Sequence, residues 1–236
     1  MSNAFQFKQF TVVQNHSGFK VGTDGCLLGA WADVSKSKHI LDIGTGSGVI
    51  ALMLAQRNSE ARITAIEINA ESAAQASENF ANSPFSARLT VENKSLQLFV
   101  KQCETRFDHI VCNPPFFSKS TLNQNQSQSL ARHDVTLNMS DLFKITAALL
   151  SENGAFSIVV PTERKEEIIA IAKTNHLFLT HLVSISPLPK REPNRLLMKF
   201  ETTNQTAKHE HWNLYSETNV YSQQATELLA PFYLKL

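Results

Sequence analysis

Apolar positions along this chain come in short, nearly continuous runs rather than in strict alternation. The runs at 39–43, 62–68, 88–91, 107–112 and 155–160 are rich in Ile, Val, Phe and Thr. Runs of that kind suit strands covered on both faces. Between them, residues 49–57, 70–82 and 140–151 repeat apolar side chains at helical spacing, with Ser140 placed to cap the last helix and Gly154 just past its end. Alternating strand and helix predicts an α/β chain built on a doubly wound, mostly parallel sheet.

The two ends break the pattern. Residues 177–185, 195–200 and 211–215 read as successive strands without helices between them, and Pro187, Pro189 and Pro193 punctuate the first connection. The expected architecture is therefore a Rossmann-like, seven-stranded sheet that ends in an antiparallel hairpin. Residues 1–33 form a short N-terminal extension, an arm carrying Phe5, Phe7 and Phe10 followed by a helix that opens at Thr23-Asp24 and ends near Trp31. Residues 34–236 form the main domain. A polar stretch rich in Asn, Gln and Ser, 118–129, reads as a substrate-facing loop.

Composition narrows the field. The chain has 236 residues, 42% of them apolar and 18% charged, with 22 Lys+Arg against 21 Asp+Glu. Disordered and collagen-like classes are excluded, and a near-zero net charge confines any nucleic-acid footprint to a local patch. No run is long enough for a membrane span, and the N-terminus lacks a signal-peptide pattern. Cys26, Cys103 and Cys112 match no zinc or redox spacing, so no metal site is expected. An odd cysteine count suits a cytoplasmic, reducing setting. A monomer is expected.

Seven of the eight glycines lie between Gly18 and Gly48. The run Asp42-Ile43-Gly44-Thr45-Gly46-Ser47-Gly48 follows a strand and opens a helix, which suits close backbone approach to a ligand. Asp42 at the elbow, with no Lys or Arg between Lys38 and Arg57, disfavours a phosphate. S-adenosylmethionine, which has an ammonium and a sulfonium but no phosphate, fits better. Glu67, followed by Ile68 at the end of the next strand, is placed to accept ribose hydroxyls.

Asn113-Pro114-Pro115-Phe116 follows the fourth strand run. Two prolines fix the backbone and leave carbonyls as acceptors. Asn113 adds a side-chain acceptor, and Phe116 a flat apolar face. Such a loop suits a planar group bearing an amino or amide nitrogen. The Asn113 side chain and the Pro114 carbonyl accept its two N–H bonds and turn its lone pair toward a methyl donor, with the base flipped out onto Phe116.

Together these two motifs resemble the class I S-adenosylmethionine-dependent methyltransferases acting on exocyclic or amide nitrogens. Lys20-Val21-Gly22-Thr23-Asp24-Gly25-Cys26-Leu27-Leu28-Gly29-Ala30-Trp31-Ala32 is similar to the bacterial tRNA(Val) adenine-N6 methyltransferases, which modify the adenine 3′ of the anticodon. The resemblance extends through residues 7–10, 51–57 and 131–133. It implies S-adenosylmethionine as cofactor and tRNA as partner. It further implies that Gly22 and Thr23 border the methionine end and that Asp42, Gly44, Thr45, Gly46 and Gly48 form the cofactor loop. Glu67 and Ile68 would lie at the ribose, and Asn113, Pro114, Pro115 and Phe116 would form the catalytic loop. Ser95 stands where the family usually has Asp for the cofactor's adenine amino group, so the charge-assisted part of that contact is lost. Two readings share the chemistry: an rRNA guanine-N2 methyltransferase and a protein glutamine-N5 methyltransferase. A different class is a non-catalytic RNA-binding module. Arg132, Lys190, Arg191 and Arg195 are the candidate RNA contacts, while His209 and His211 read as a surface pair.

Overall fold

A computed structural model of the chain describes residues 4–15, 21–115 and 138–236. Phe116, Phe117, the polar stretch at 118–129, Arg132 and His133 lie outside the described residues, as do Gly18 and Lys20. The elements in order are β1 (Ala4–Gln6), β2 (Thr11–Val13), α1 (Thr23–Trp31), β3 (His39–Ile43), α2 (Val49–Arg57), β4 (Arg62–Glu67), α3 (Ala70–Ala81), β5 (Leu89–Asn93), α4 (Leu96–Gln102) and β6 (Phe107–Cys112). There follow α5 (Met139–Leu149), β7 (Leu150–Pro161), α6 (Lys165–Thr174), β8 (Phe178–Ser186), β9 (Arg195–Glu201), β10 (Lys208–Asn213), β11 (Tyr215–Glu217), β12 (Val220–Tyr221) and α7 (Gln223–Leu229).

The main sheet runs β10-β8-β9-β7-β6-β3-β4-β5. β9 is antiparallel to both its neighbours, and the other adjacent pairs are parallel. The hairpin expected at the end of the sheet is the β8–β9 pair. The sheet has eight strands rather than seven, because after β9 the chain passes the start of β8 and adds β10 along its outer edge, parallel to it. Edge strands expose unpaired backbone groups, and β10 moves that edge away from β8.

Alternation along each strand divides the core in two. Ile40, Ile63, Ala65 and Val111 face a cluster with Phe7, Phe10, Val12, α1, α2, α3 and α7. Leu41, Ile43, Ile66, Ile110 and Cys112 face α4, α5 and α6 on the other side. The crossovers from β3 to β5 thus lie on one face and those after β5 on the opposite face. The switch falls between β3 and β6, at whose carboxyl ends open α/β sheets bind ligands. Phe7 and Phe10 of the arm lie inside the first cluster, their ring centroids 4.6 Å apart, with Phe5 packed against it.

Two local expectations are corrected. α5 is capped by Asn138, whose side chain accepts the Asp141 N–H at 2.7 Å, so Ser140 already lies within the helix. Gly154 closes no helix. It sits inside the long strand β7, where an added Cβ would lie 2.8 Å from the Phe107 carbonyl oxygen beside a register shift. α4, at seven residues, is too short to show a helical period in the sequence.

Charged side chains finish the helices of the first face. Arg88 donates to the carbonyls of Ala55, Asn58 and Ala61 at 2.8–2.9 Å, closing the end of α2. Arg57 does the same for α1 through Gly29 and Ala32. Arg88→Met leaves three partly buried carbonyls without that donor. It is expected to lower unfolding stability by about 2–3 kcal/mol, read as a shift in the urea midpoint with an unchanged slope.

Candidate functional site

The site follows from register. Ile43 is paired with Ile66 of β4 on one side and Cys112 of β6 on the other. One step further along, Glu67 and Asn113 therefore flank Gly44 at the same level. Strand spacing separates the two by about 10 Å, a span that a nucleoside can bridge. Strand parity adds the direction: Asp42 shares a side with Ile40, Glu67 with Ala65, and Asn113 with Val111. All three acceptors point to the face that carries α1, α2 and α3.

Between them runs the turn 44–48. Gly44, Gly46 and Gly48 have φ of 70°, 57° and 87°, a left-handed conformation that side chains resist. They do two jobs. A Cβ on Gly48 would lie 2.5 Å from the Phe80 ring, so that glycine is required for packing on α3. A Cβ on Gly44 or Gly46 would meet nothing within 4 Å, so their left-handed backbone faces open space. The turn is tied to β4 through Gly44 and Thr45 N–H bonds to the Ile66 carbonyl, at 2.9 and 3.1 Å.

Asp42 is fully buried beneath this turn. Its Oδ2 accepts the Thr45 hydroxyl at 2.6 Å, and its Oδ1 has no hydrogen-bond partner. Burial pushes its carboxyl up to about 7 against the opposing pull of Thr45 and the Ala51 amide, and the neighbouring Glu67 charge adds to the rise. A buried carboxylate with one unpartnered oxygen, under a turn open to solvent, fits a ligand that brings a positive charge. Glu67 accepts the Gly46 N–H through Oε2 and the Asn69 N–H through Oε1, both at 2.9 Å. A carboxylate has about four lone-pair sites, which leaves each oxygen able to accept one ligand hydroxyl. Asn93 fastens the Glu67 and Ile68 carbonyls from β5, at 2.8 and 3.0 Å, and Ile68 projects with 50% exposure as an apolar ledge.

The other sequence candidates distribute as follows. Gly22 precedes α1 and Thr23 opens it. Gly25 packs against the catalytic-loop candidate, with an added Cβ 3.5 Å from Asn113 Nδ2. Gly29 lets α1 cross close to α2, since its Cβ would meet Met53 Sδ at 3.0 Å. Pro114 is buried and Pro115 exposed. Ser95 caps α4, its Oγ accepting the Leu98 N–H at 3.2 Å, so part of its acceptor capacity is used by the helix. Lys190 and Arg191 are exposed in the connection 187–194. Arg195 instead donates to Asp24 of α1 at 2.8 Å, and Lys199 pairs with Glu201 further along β9. His211 bonds Ser186 at 2.9 Å. Among the described residues no group of three or more His, Cys, Asp or Glu side chains is placed to hold a metal ion.

Sequence reasoning missed Asn79, which donates to the Ser47 carbonyl of the turn, and Gln14, which accepts the Val21 N–H ahead of α1. A signal existed. Gln75 and Asn79 are polar residues among Ala73, Ala76 and Phe80 on the buried face of α3, and a polar side chain there must find partners.

The family model for the methyltransferase small domain matches residues 16–177. A tRNA1(Val) (adenine(37)-N6)-methyltransferase of Parabacteroides distasonis is 42% identical over 98% of this chain and 98% of its own length. The protein of that name from Trichodesmium erythraeum is 40% identical over 99% of this chain and 98% of its own. Its namesake from Aeromonas hydrophila is 38% identical over 100% and 99%. Among solved structures, a predicted O-methyltransferase of Agrobacterium tumefaciens superposes with a TM-score of 0.72 at 19% identity, covering 89% of this chain and 96% of that one.

The buried carboxyl has a cost that pH exposes. Because the native state holds the Asp42 proton up to about pH 7 and the unfolded chain releases it near 4, its contribution to stability is complete below about pH 4. It is lost as pH rises through 7. Asp42→Asn is expected to melt at the wild-type temperature near pH 4 and above it at pH 8, by up to about 4 kcal/mol. Thermal melts of the ligand-free protein across that range check this, and parallel curves for the two proteins would refute it.

Proposed function

The chain belongs to the methyltransferase small-domain family, and from that membership we propose that it transfers the methyl group of S-adenosylmethionine to the exocyclic N6 of an adenine in tRNA. The near-full-length relatives are named for adenine 37 of tRNA1(Val), and that base is the proposed target, the adenine 3′ of the anticodon that the sequence resemblance implies. The observation that carries this reading is the level placement of Glu67, Gly44 and Asn113 at the ends of three adjacent strands, all on one face.

S-adenosylmethionine supplies, when bound, a methyl group on a positively charged sulfur. The residues that would hold it are the turn at Gly44, Thr45, Gly46 and Gly48, with Asp42 beneath it for positive charge and Glu67 for the ribose hydroxyls. Ile68 offers its apolar side chain to the cofactor's base, Ser95 lies at the start of α4, and Gly22 and Thr23 border the methionine end. The unpartnered Asp42 Oδ1 and the open face of Gly44 and Gly46 support this assignment.

Asn113 and Pro114 act on the target base. The Asn113 Oδ1 and the Pro114 carbonyl accept the two N–H bonds of N6, which draws its lone pair out of conjugation and toward the methyl carbon. The packing of Gly25 on Asn113 Nδ2 turns that end of the amide toward α1, and the carbonyl is the other arm of the same planar group. Pro115 stiffens the loop, and Phe116 would stack on the flipped base. Catalysis by held acceptors needs positioning above all.

The RNA would approach along the same sheet edge. Residues 187–194 join the end of β8 to the start of β9 there, and the Tyr215 N–H bonds the Pro187 carbonyl at 3.2 Å. Lys190 and Arg191 on that connection are the proposed phosphate contacts, with Arg132 from the segment that follows the catalytic loop. Arg195, paired with Asp24, would position α1 beside them. The three cysteines are unpaired, which suits the cytoplasm.

Tritiated-methyl transfer to total RNA, followed by nucleoside digestion, tests the reading. N6-methyladenosine confined to a tRNA fraction is the expected product; N2-methylguanosine in rRNA would overturn it. Asn113→Ala is expected to lower kcat by roughly 10²-fold or more with cofactor affinity nearly intact, and near-wild-type turnover would remove its role. Charge reversal at Lys190 and Arg191 is expected to weaken tRNA binding and to flatten its salt dependence by roughly one unit of slope per lost phosphate contact. An unaltered slope would assign that connection to the scaffold.

A further inference from the structure

The side chain of Asn79 is 2% exposed and makes three hydrogen bonds. Its Oδ1 accepts the Val13 N–H at 3.0 Å, and its Nδ2 donates to the carbonyls of Val13 and Ser47, each at 2.9 Å. Both donor hydrogens of the amide are therefore engaged, and its oxygen is engaged as well. The partners belong to different parts of the chain. Val13 ends the second strand of the N-terminal arm, and Ser47 lies in the turn between the left-handed Gly46 and Gly48. A single side chain on α3 joins the two.

Neighbouring contacts point the same way. Phe80, the next residue, fills the space where Gly48 would otherwise carry a Cβ. One residue beyond Val13, the Gln14 Oε1 accepts the Val21 N–H at 2.6 Å, and Val21 leads into Gly22 and Thr23. α1 opens there without a side-chain cap, so its start is held by tertiary contacts: this one, the Asp24–Arg195 pair and the packing of Gly25 on Asn113. The burial of α3 itself does not need Asn79, because Ala73, Ala76 and Phe80 already place that helix in the core.

We propose that Asn79 is a positioning residue that fixes the N-terminal arm against the turn at 44–48, making the arm a structural part of the S-adenosylmethionine site. The proposal rests on the reading of that turn as the cofactor site. The physical reason lies in the turn. Three left-handed glycines in five residues have much conformational freedom to lose on ordering. The Asn79 donor to the Ser47 carbonyl and the Glu67 acceptor for the Gly46 N–H pin it from both sides. By reciprocity, a ligand that orders the turn tightens the arm.

Two matched substitutions separate this role from a structural one. Asn79→Asp keeps an acceptor for the Val13 N–H but removes both donors and sets a carboxylate against two carbonyl oxygens. Asn58→Asp does the equivalent chemistry at the far end of α2, where the Asn58 Nδ2 donates to Val34 and Ser37 carbonyls at 2.7 and 2.8 Å. Titration calorimetry with S-adenosylhomocysteine, below the melting temperature of each protein, is expected to show Asn79→Asp binding roughly ten-fold more weakly than wild type. Asn58→Asp is expected to melt at lower temperature yet bind as wild type does. In the unaltered protein, hydrogen exchange at the Val13 amide is expected to slow when the ligand is added, and in Asn79→Asp that slowing is lost. Wild-type affinity in Asn79→Asp, or equal weakening in both variants, would overturn the proposal. Failure of the unaltered protein to bind S-adenosylhomocysteine would overturn the cofactor reading itself, and this proposal with it.

Discussion

Three adjacent parallel strands ending at one level are the constraint on which the rest of the structure depends. The pairing of Ile43 with both Ile66 and Cys112 sets Glu67 and Asn113 on either side of Gly44. A slip of one residue in either pair would turn its acceptor to the opposite face. The buried runs of β3, β4 and β6 prevent that slip, because each exchanges a continuous set of core contacts on two faces rather than one. The same residues that make the sheet stable thus fix the geometry of the site.

The centre of the fold was legible for this reason. Strands buried on both faces announce themselves as continuous apolar runs, and 39–43, 62–68 and 107–112 did so with the candidate acids and Asn113 at or just past their ends. The periphery was harder. β10 adds to β8 with a half-exposed, polar sequence, Lys208–Asn213, so the strand read at 211–215 covers only its last three residues. Gly154 looks like a helix stop in sequence, yet it is fixed by the approach of a β6 carbonyl that only tertiary structure reveals. Arg195 reads as a candidate RNA contact beside Lys190 and Arg191, while its partner Asp24 lies 171 residues away along the chain. Distance in sequence, more than chemistry, set what could be read.

The site is also where the fold gives up stability. Asp42 is buried with one oxygen unpartnered and with Glu67 near enough to oppose its ionisation. Beside it, three glycines hold left-handed conformations. Neither feature helps the ligand-free protein. Both follow if the proposed ligand is cationic and approaches the backbone closely, since it would then relieve the carboxyl and order the turn together. The fastenings from Phe80, Asn79 and Asn93 oppose that loss, and they lie on α3 and β5, the elements next to the turn and β4.

Fold alone leaves the acceptor atom undecided, as the match to a predicted O-methyltransferase at 19% identity makes plain. What separates the chemistries is the number of hydrogens on the accepting atom. A hydroxyl has one to give, and its oxygen becomes a good nucleophile as that proton leaves. An amino group on a purine has two, and its lone pair is tied up in the ring until both are held. In the proposed assignment, Asn113 and the Pro114 carbonyl are two acceptors on one rigid loop, which matches the second case. Because the α1 helix packs on Asn113 through Gly25 and is anchored at Asp24 by Arg195, the acceptor's orientation depends on the N-terminal segment as much as on β6. An RNA that docks on the proposed 187–194 connection would therefore lie next to Arg195, whose pair with Asp24 anchors the helix packed on the proposed catalytic amide.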